Sequence, residues 1–240
     1  MKKSSLIIGG TQGVGIVIRD VLRERGDTVT TASRRKIKSK THISIDLSSV
    51  RQTSNSLTNF FSKKSKIDNI IFCQRYRGND WKKEFHISFE VIQNIIENLI
   101  KFINSTCSIV VINSNASQFI LDDQPIGYHV ARGALDSLVR YYAVRLGEKG
   151  IRFNSILPAT LIKPENSEFF TKDNTIRQLI QEVTPLKRMG DASDVAYLVE
   201  FLCSDKASFI TGQSIFVDGG ISLVGQESIA RQVAKKGDLI

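Results

Sequence analysis

Between residues 5 and 25 the chain passes from an apolar run, through a glycine cluster, into a helical pattern. The cluster reads IGGTQGVG and spans residues 8–15. A strand that turns at once into a helix, over nearly bare backbone, is the opening unit of a parallel sheet covered by helices. The rest of the sequence repeats that alternation. Apolar, β-branched runs predict strands over 5–9, 28–32, 42–45, 67–73, 108–113, 151–156 and 214–217. Helical spacing of apolar residues predicts helices over 14–25, 48–63, 85–104 and 127–149. Short apolar strands alternating with helices imply right-handed crossovers and parallel pairing. The expected fold is therefore α/β, an open doubly wound sheet of seven parallel strands with helices on both faces.

Composition narrows the function classes. The 240 residues suit one domain with a full core, and 41% hydrophobic with 24% charged residues is ordinary globular usage. No apolar run reaches the roughly 18 residues of a membrane helix. The opening MKKSSLIIGG is too short in apolar residues for a secretion signal, so a cytoplasmic protein is expected, with no membrane partner. Cys73, Cys107 and Cys203 are isolated in apolar stretches and read as buried thiols. His42, His86 and His129 lack ligand spacing, so no metal is expected. The net charge of +9 lies in lysine and arginine clusters without any nucleic-acid motif, which describes a solvated exterior rather than a nucleic-acid binder.

Two constellations carry chemistry. Gly9, Gly13 and Gly15 lie between a strand and a helix, where backbone N–H groups and the helix dipole can hold a dinucleotide pyrophosphate. The second strand ends in Ala32-Ser33-Arg34-Arg35, with no acid for ribose hydroxyls. Two guanidiniums and a hydroxyl suit a 2′-phosphate, so NADP(H) is expected in preference to NAD(H). Further on, Tyr128 and Arg132 are four residues apart on one helix face, fourteen residues after Ser114. A phenol titrates near 10 in water and needs a nearby cation to exchange protons at neutral pH.

These motifs together resemble the short-chain dehydrogenase/reductase family over nearly the whole chain. The glycine pattern xGxxxGxG is met by residues 8–15, and Asp46-Leu47 matches the acidic position that contacts adenine. The stretches IRFNSILPA (151–159), Pro185 to Gly190 with Asp194-Val195-Ala196 and Phe201-Leu202, and Thr211-Gly212-Gln213 to Gly219-Gly220 follow the family's order. The resemblance implies a single Rossmann-type domain over 1–222, a substrate lid over 160–184, and a C-terminal tail over 223–240. It implies Ser114 as the hydroxyl that holds the substrate oxygen, Tyr128 as proton donor or acceptor, and Arg132 in the place of the usual lysine. Asn94 is the expected relay asparagine, with Asn98 as its rival. The cofactor would be held by Gly9, Thr11, Gln12, Gly13, Val14 and Gly15, by Ser33, Arg34 and Arg35, by Asp46 and Leu47, and by Cys73, Gln74, Arg132 and Ile162. The family also implies a homodimer or homotetramer acting on a small-molecule substrate. The helices over 85–104 and 127–149 support this, because Leu135, Leu138 and Val139, and again Tyr142 and Leu146, read as apolar stripes on more than one face.

The chain departs from the family where the substrate would sit. Lysine is replaced by Arg132. The segment usually written NNAG reads Phe72-Cys73-Gln74-Arg75, and the threonine of PGxxxT has become Lys163. The loop QRYRGNDW (74–81) adds Arg77 and an aromatic pair. Arg75, Arg132 and Lys163 therefore converge on the cleft, which leaves two readings open. One is an enzyme whose substrate carries a carboxylate or phosphate, held by Arg75 or Lys163. The other is a dinucleotide-binding relative with little catalysis, acting as a sensor or partner subunit.

Overall fold

The strands are short because each must cross the sheet once and hand the chain to a helix. In the structure, a computed structural model that describes residues 2–64 and 66–235, β1 (Ser4–Ile8) leads to helix α1 (Gly13–Glu24) and β2 (Thr28–Ser33). β3 (His42–Ser44), α2 (Val50–Phe61) and β4 (Ile67–Phe72) follow. A helical stretch then begins as α3 (Trp81–Phe85), widens into a π-turn over His86–Glu90, and continues as α4 (Val91–Leu99). β5 (Ile103–Ile112), α5 (Ile126–Gly147) and β6 (Arg152–Pro158) complete the central crossovers. The two-residue strands β7 (Leu161–Ile162) and β8 (Gly190–Asp191) pair with each other outside the main sheet, flanking α6 (Thr175–Val183). α7 (Ala192–Leu202), β9 (Ser214–Val217) and α8 (Gln226–Ala234) end the described chain.

The main sheet has the order β3-β2-β1-β4-β5-β6-β9, with every neighbouring pair parallel. Alternate residues of one strand feed opposite faces. Leu6, Ile8, Ile70, Phe72, Ile109 and Val111 join the core under α2, α4 and α5. Ile7, Ile71, Val110 and Ile156 join the core under α1 and α7. This two-sided burial is why the central strands are apolar throughout rather than alternating. Helix α4 fixes one layer through Val91, Ile92, Ile95, Ile96 and Leu99, all buried on its i, i+4 face. Each such side chain contributes about 1.5–3 kcal/mol of burial.

Three expectations shift. The helix expected over 85–104 starts earlier, at Trp81, and ends at Leu99, with β5 already paired to Ile67 at Ile103. The asparagines and serines after residue 103 hide that strand start from a reading based on apolar runs. Leu135, Leu138, Val139, Tyr142 and Leu146 do not form a second stripe: all five are buried inside the chain. The exposed large apolar residues of α5 are instead Ile126, Val130, Tyr141 and Val144. The expected tail contains α8, which packs against α6; its last residues, 236–240, lie outside the described residues.

Much of the conserved-looking motif content holds the frame together. Arg188 bonds both oxygens of Asp194 at 2.6 and 2.8 Å, and Asp191 caps α7 in a reciprocal capping box with Asp194. Asn154 donates to Ile210 O and accepts from Gln213 N, fastening β6 to the turn before β9.

Candidate active site

The glycine loop sits at the carboxyl end of β1, beside β4, where the strand order reverses direction. Gly15 packs against the Gly9 carbonyl so tightly that a β-carbon could not be inserted. Helix α1 has no acidic residue in its first turn, and Gln12 makes no side-chain cap. Its first N–H groups and its positive dipole end are therefore free for an anion. Thr11 is buried in the loop. Arg35 reaches across from the end of β2, donating to Thr11 O at 3.4 Å and Gln12 Oε1 at 3.2 Å. Ser33 Oγ accepts from the Arg35 amide at 3.2 Å. Asp46 accepts from the Ser48 amide at 3.0 Å, and this bonding, with Arg34 as a lesser cause, holds its carboxyl below the usual range. Leu47 and Val14 pack on the edges of the two cores. The Cys73 amide donates to Ile8 O at 2.8 Å, which fixes the 72–75 segment beside the glycine loop. Gln74 donates to Ile87 O at 3.4 Å and leaves a buried Oε1 without a partner. An uncapped helix start, a bare loop and an orphaned amide fit a bound dinucleotide.

Tyr128 and Arg132 lie on the first turns of α5, with the Ser114 turn beside them. Asn113, at the end of β5, donates to Arg132 O and Asp136 Oδ1, tying strand to helix. Ser114 follows; its Oγ accepts from the Ala116 amide at 3.2 Å and donates to Asn115 Oδ1 at 3.3 Å. Tyr128 is buried, and two guanidiniums face its ring, Arg132 at 4.6 Å and Arg75 at 5.3 Å from the centroid. His129 bonds the carbonyls of Ala116 and Leu121 and so pins the serine turn onto α5. Among the described residues no hydrogen bond joins Ser114 Oγ to the Tyr128 phenol.

Arg132 is not a free cation. Its Nη2 donates to Glu84 Oε1 at 3.1 Å and Ser88 Oγ at 3.2 Å, and Ser88 Oγ donates to Glu84 Oε1 at 2.6 Å. The Arg132 and Glu84 side chains are only 3% and 5% exposed. Arg132 Nε is buried without a partner. The approach of α3 makes this triad possible: a β-carbon on Gly127 would fall 2.6 Å from Trp81 Cβ, so only glycine admits the helix so close. The π-turn then offsets the register. Glu84 and Ser88 face Arg132, while Val91, Ile92, Ile95, Ile96 and Leu99 face the core.

Asn94 is not brought to this cluster. Its amide bonds Glu90 O of its own helix at 2.9 Å, and Asn98 likewise bonds Asn94 O. Glu84 and Ser88 are the residues that sequence reasoning missed. Their i, i+4 spacing and the charge of a buried Arg132 were the available signals. Lys163 lies just beyond β7, its amide held by Asn166 Oδ1 at 2.6 Å. Burial pushes its ammonium below the ordinary lysine range, opposed by Glu165 and Tyr128 and reinforced by Arg75 and Arg77. Arg75, Lys163 and Tyr128 thus share one electrostatic neighbourhood. Ile162, on β7, is half-buried beside it.

The chain resembles known proteins at both levels. Residues 10–222 match a family model described as Enoyl-(Acyl carrier protein) reductase. A 3-oxoacyl-(acyl-carrier-protein) reductase FabG of Rickettsia conorii is 28% identical over 247 residues, covering 92% of this chain and 98% of that protein. A glucose 1-dehydrogenase of Gluconobacter oxydans is 31% identical over 136 residues, covering 57% of this chain and 48% of that protein. Apart from the FabG reductase, the match spans less than half the length of these curated relatives. Among solved structures, the aldohexose dehydrogenase of Thermoplasma acidophilum, in ligand-free form, aligns with TM-score 0.82 at 22% identity, covering 94% of this chain and 96% of that one. A Francisella tularensis member aligns with TM-score 0.80 at 21% identity, covering 93% and 100%. These two likenesses speak for the fold, and the family model together with the motifs settles membership. The chain belongs to the short-chain dehydrogenase/reductase family.

Proposed function

We propose that this chain is an NADP(H)-dependent oxidoreductase interconverting a carbonyl and an alcohol on a small, anionic substrate. The observation that carries the reading is Tyr128: a buried phenol on α5, faced by two guanidiniums, at the sheet end that also holds the bare glycine loop. The cofactor, when bound, supplies or accepts the hydride. The glycine loop and the α1 N-terminus would hold its diphosphate, and Asp46 its adenine end. Arg34 and Arg35 favour a 2′-phosphate, since β2 ends in Ser33 and two guanidiniums with no acid of its own.

This chain's residues do the rest. Ser114 Oγ orients the substrate oxygen once its bond to Asn115 is exchanged. Tyr128 gives its proton to that oxygen in reduction and takes it back in oxidation. The Arg132 and Arg75 guanidiniums against the ring hold the phenol in place. Glu84 holds Arg132 in place and shares its charge, so Arg75 and Lys163 are the less neutralised cations in the cleft. Those two suit a carboxylate or phosphate on the substrate. In this reading the exposed Val130, Tyr141 and Val144 of α5 meet a second copy in a cytoplasmic homodimer or homotetramer.

The Glu84–Arg132 pair also favours a second reading, a dinucleotide-binding relative with weak catalysis. A panel of ketones and sugars, each with and without an acidic group, separates the two. Tyr128→Phe should lower turnover about 10²–10⁴-fold while NADPH affinity stays nearly unchanged. NADPH should bind at least about tenfold tighter than NADH. Wild-type and Tyr128→Phe proteins that behave alike on every substrate would establish the weakly catalytic reading instead.

A further inference from the structure

The lid meets the glycine loop at one point. Gly13 opens α1 with φ +58°, and a β-carbon built on it would fall 2.8 Å from Glu165 Oε1. The lid's carboxylate therefore stands at the start of α1, on the side that Gly13 leaves bare. The same oxygen lies 3.6 Å from Arg77 Nη2, on the loop that follows β4. A cation and an uncapped helix start around a single carboxylate have the chemistry of an anion site. The anion in it belongs to the chain itself.

We propose that Glu165 holds the place of the dinucleotide's diphosphate in the free protein, and that Arg77 is a further diphosphate-binding residue. The inference rests on the dinucleotide reading and adds two residues to it. A diphosphate entering the glycine loop meets the Glu165 carboxylate as a like charge and displaces it. Arg77, released from Glu165, keeps an anionic partner by turning to the phosphates, where its planar donors can bond two oxygens. The displacement reaches the cleft as well. Asn166 bonds the Lys163 amide at 2.6 Å and the Leu161 carbonyl at 3.0 Å, so the turn carrying Glu165 moves as one piece with Lys163. Seating the cofactor would then reposition the cation nearest the substrate.

Calorimetric titration of NADPH into wild type, Glu165→Gln, Arg77→Gln and the double variant tests this without relying on turnover. Glu165→Gln removes the internal competitor and should tighten binding about three- to tenfold, because the competent state no longer has to be won from the closed one. Arg77→Gln should weaken binding by a larger factor in the Glu165→Gln background than in wild type, where loss of the latch offsets loss of the phosphate contact. Glu165→Asp, which keeps the charge but withdraws it, should fall between wild type and Glu165→Gln. It also serves if the glutamine variant folds poorly. Wild-type affinity in both Glu165 variants overturns the inference and leaves the dinucleotide reading intact. Failure of wild type and of both Glu165 variants to bind NADPH or NADH overturns both. Binding by Glu165→Gln alone supports the closed latch.

Discussion

Two arginines are buried among the described residues, and they are satisfied in different ways. Arg152, on β6, donates to the carbonyls of Leu202 at 2.7 Å, Ser204 at 3.3 Å and Ile210 at 3.4 Å. It is a tie bar, joining the end of α7 and the turn before β9 to the sheet. Arg132, on α5, instead meets a buried carboxylate and leaves one N–H unpaired. The frame around Arg152 uses its donors on fixed backbone, whereas the cluster around Arg132 keeps unsatisfied groups beside the Tyr128 ring. Buried polar groups without partners are costly, and they gather where a ligand is to complete them. Completeness of bonding thus separates scaffold from site, although both residues are equally charged and nearly equally hidden.

The comparison can be broken by mutation. Arg132→Ala leaves Glu84 as an uncompensated buried charge and should cost about 3–5 kcal/mol of stability. Adding Glu84→Gln should return part of that loss. Arg152→Ala leaves only neutral carbonyls unpaired and should cost less, about 1–3 kcal/mol. Denaturant titration of the three variants decides the matter, and equal losses for the two arginines would end the distinction.

A second test sharpens the difference on the site side. Burial holds Lys163 below the ordinary lysine range. If its ammonium binds an anionic substrate, KM for that substrate should climb with pH before an ordinary lysine would titrate, by about tenfold across the transition. A matched neutral substrate should show no such rise. A flat profile for both would remove Lys163 from substrate binding.

The smallest expected effect lies in the frame. Arg188 hydrogen-bonds Asp194 and holds its carboxyl below the usual range. The folded value is depressed, so the stabilisation is present at neutral pH and is lost as pH falls through that value, below the ordinary aspartate range. The pair is partly exposed, so Arg188→Ala should cost less than about 1 kcal/mol at pH 7. It should cost almost nothing once Asp194 is protonated. A larger loss would mean that Arg188 does more than fasten the capping box.

The seven strands of the main sheet and the helices α1, α2, α4 and α5 were legible in the sequence because each carries its own periodicity, whereas α6, α7, α8 and the short pair β7 and β8 were not read from it. Ile67 to Phe72 can only be a strand buried on both faces, and the glycines after Ile8 can only be a turn into a helix. The glycine loop was legible because it directly follows an apolar strand run, and Tyr128 and Arg132 because a spacing of four places both on one face of α5. Asn94 was expected only from a loose resemblance of its neighbourhood, and its amide bonds Glu90 O of its own helix. Glu84 and Ser88 lie more than forty residues from Arg132, and a contact of that separation leaves no periodic trace. The sequence by itself determined the doubly wound sheet and the kinds of group at its functional end. Only the tertiary structure decided that Arg132 is already paired, that Arg75 lies over the phenol ring, and that Glu165 stands at the glycine loop. Each of these depends on how helices and loops distant in the chain pack together, because burial and charge pairing act between neighbours in space.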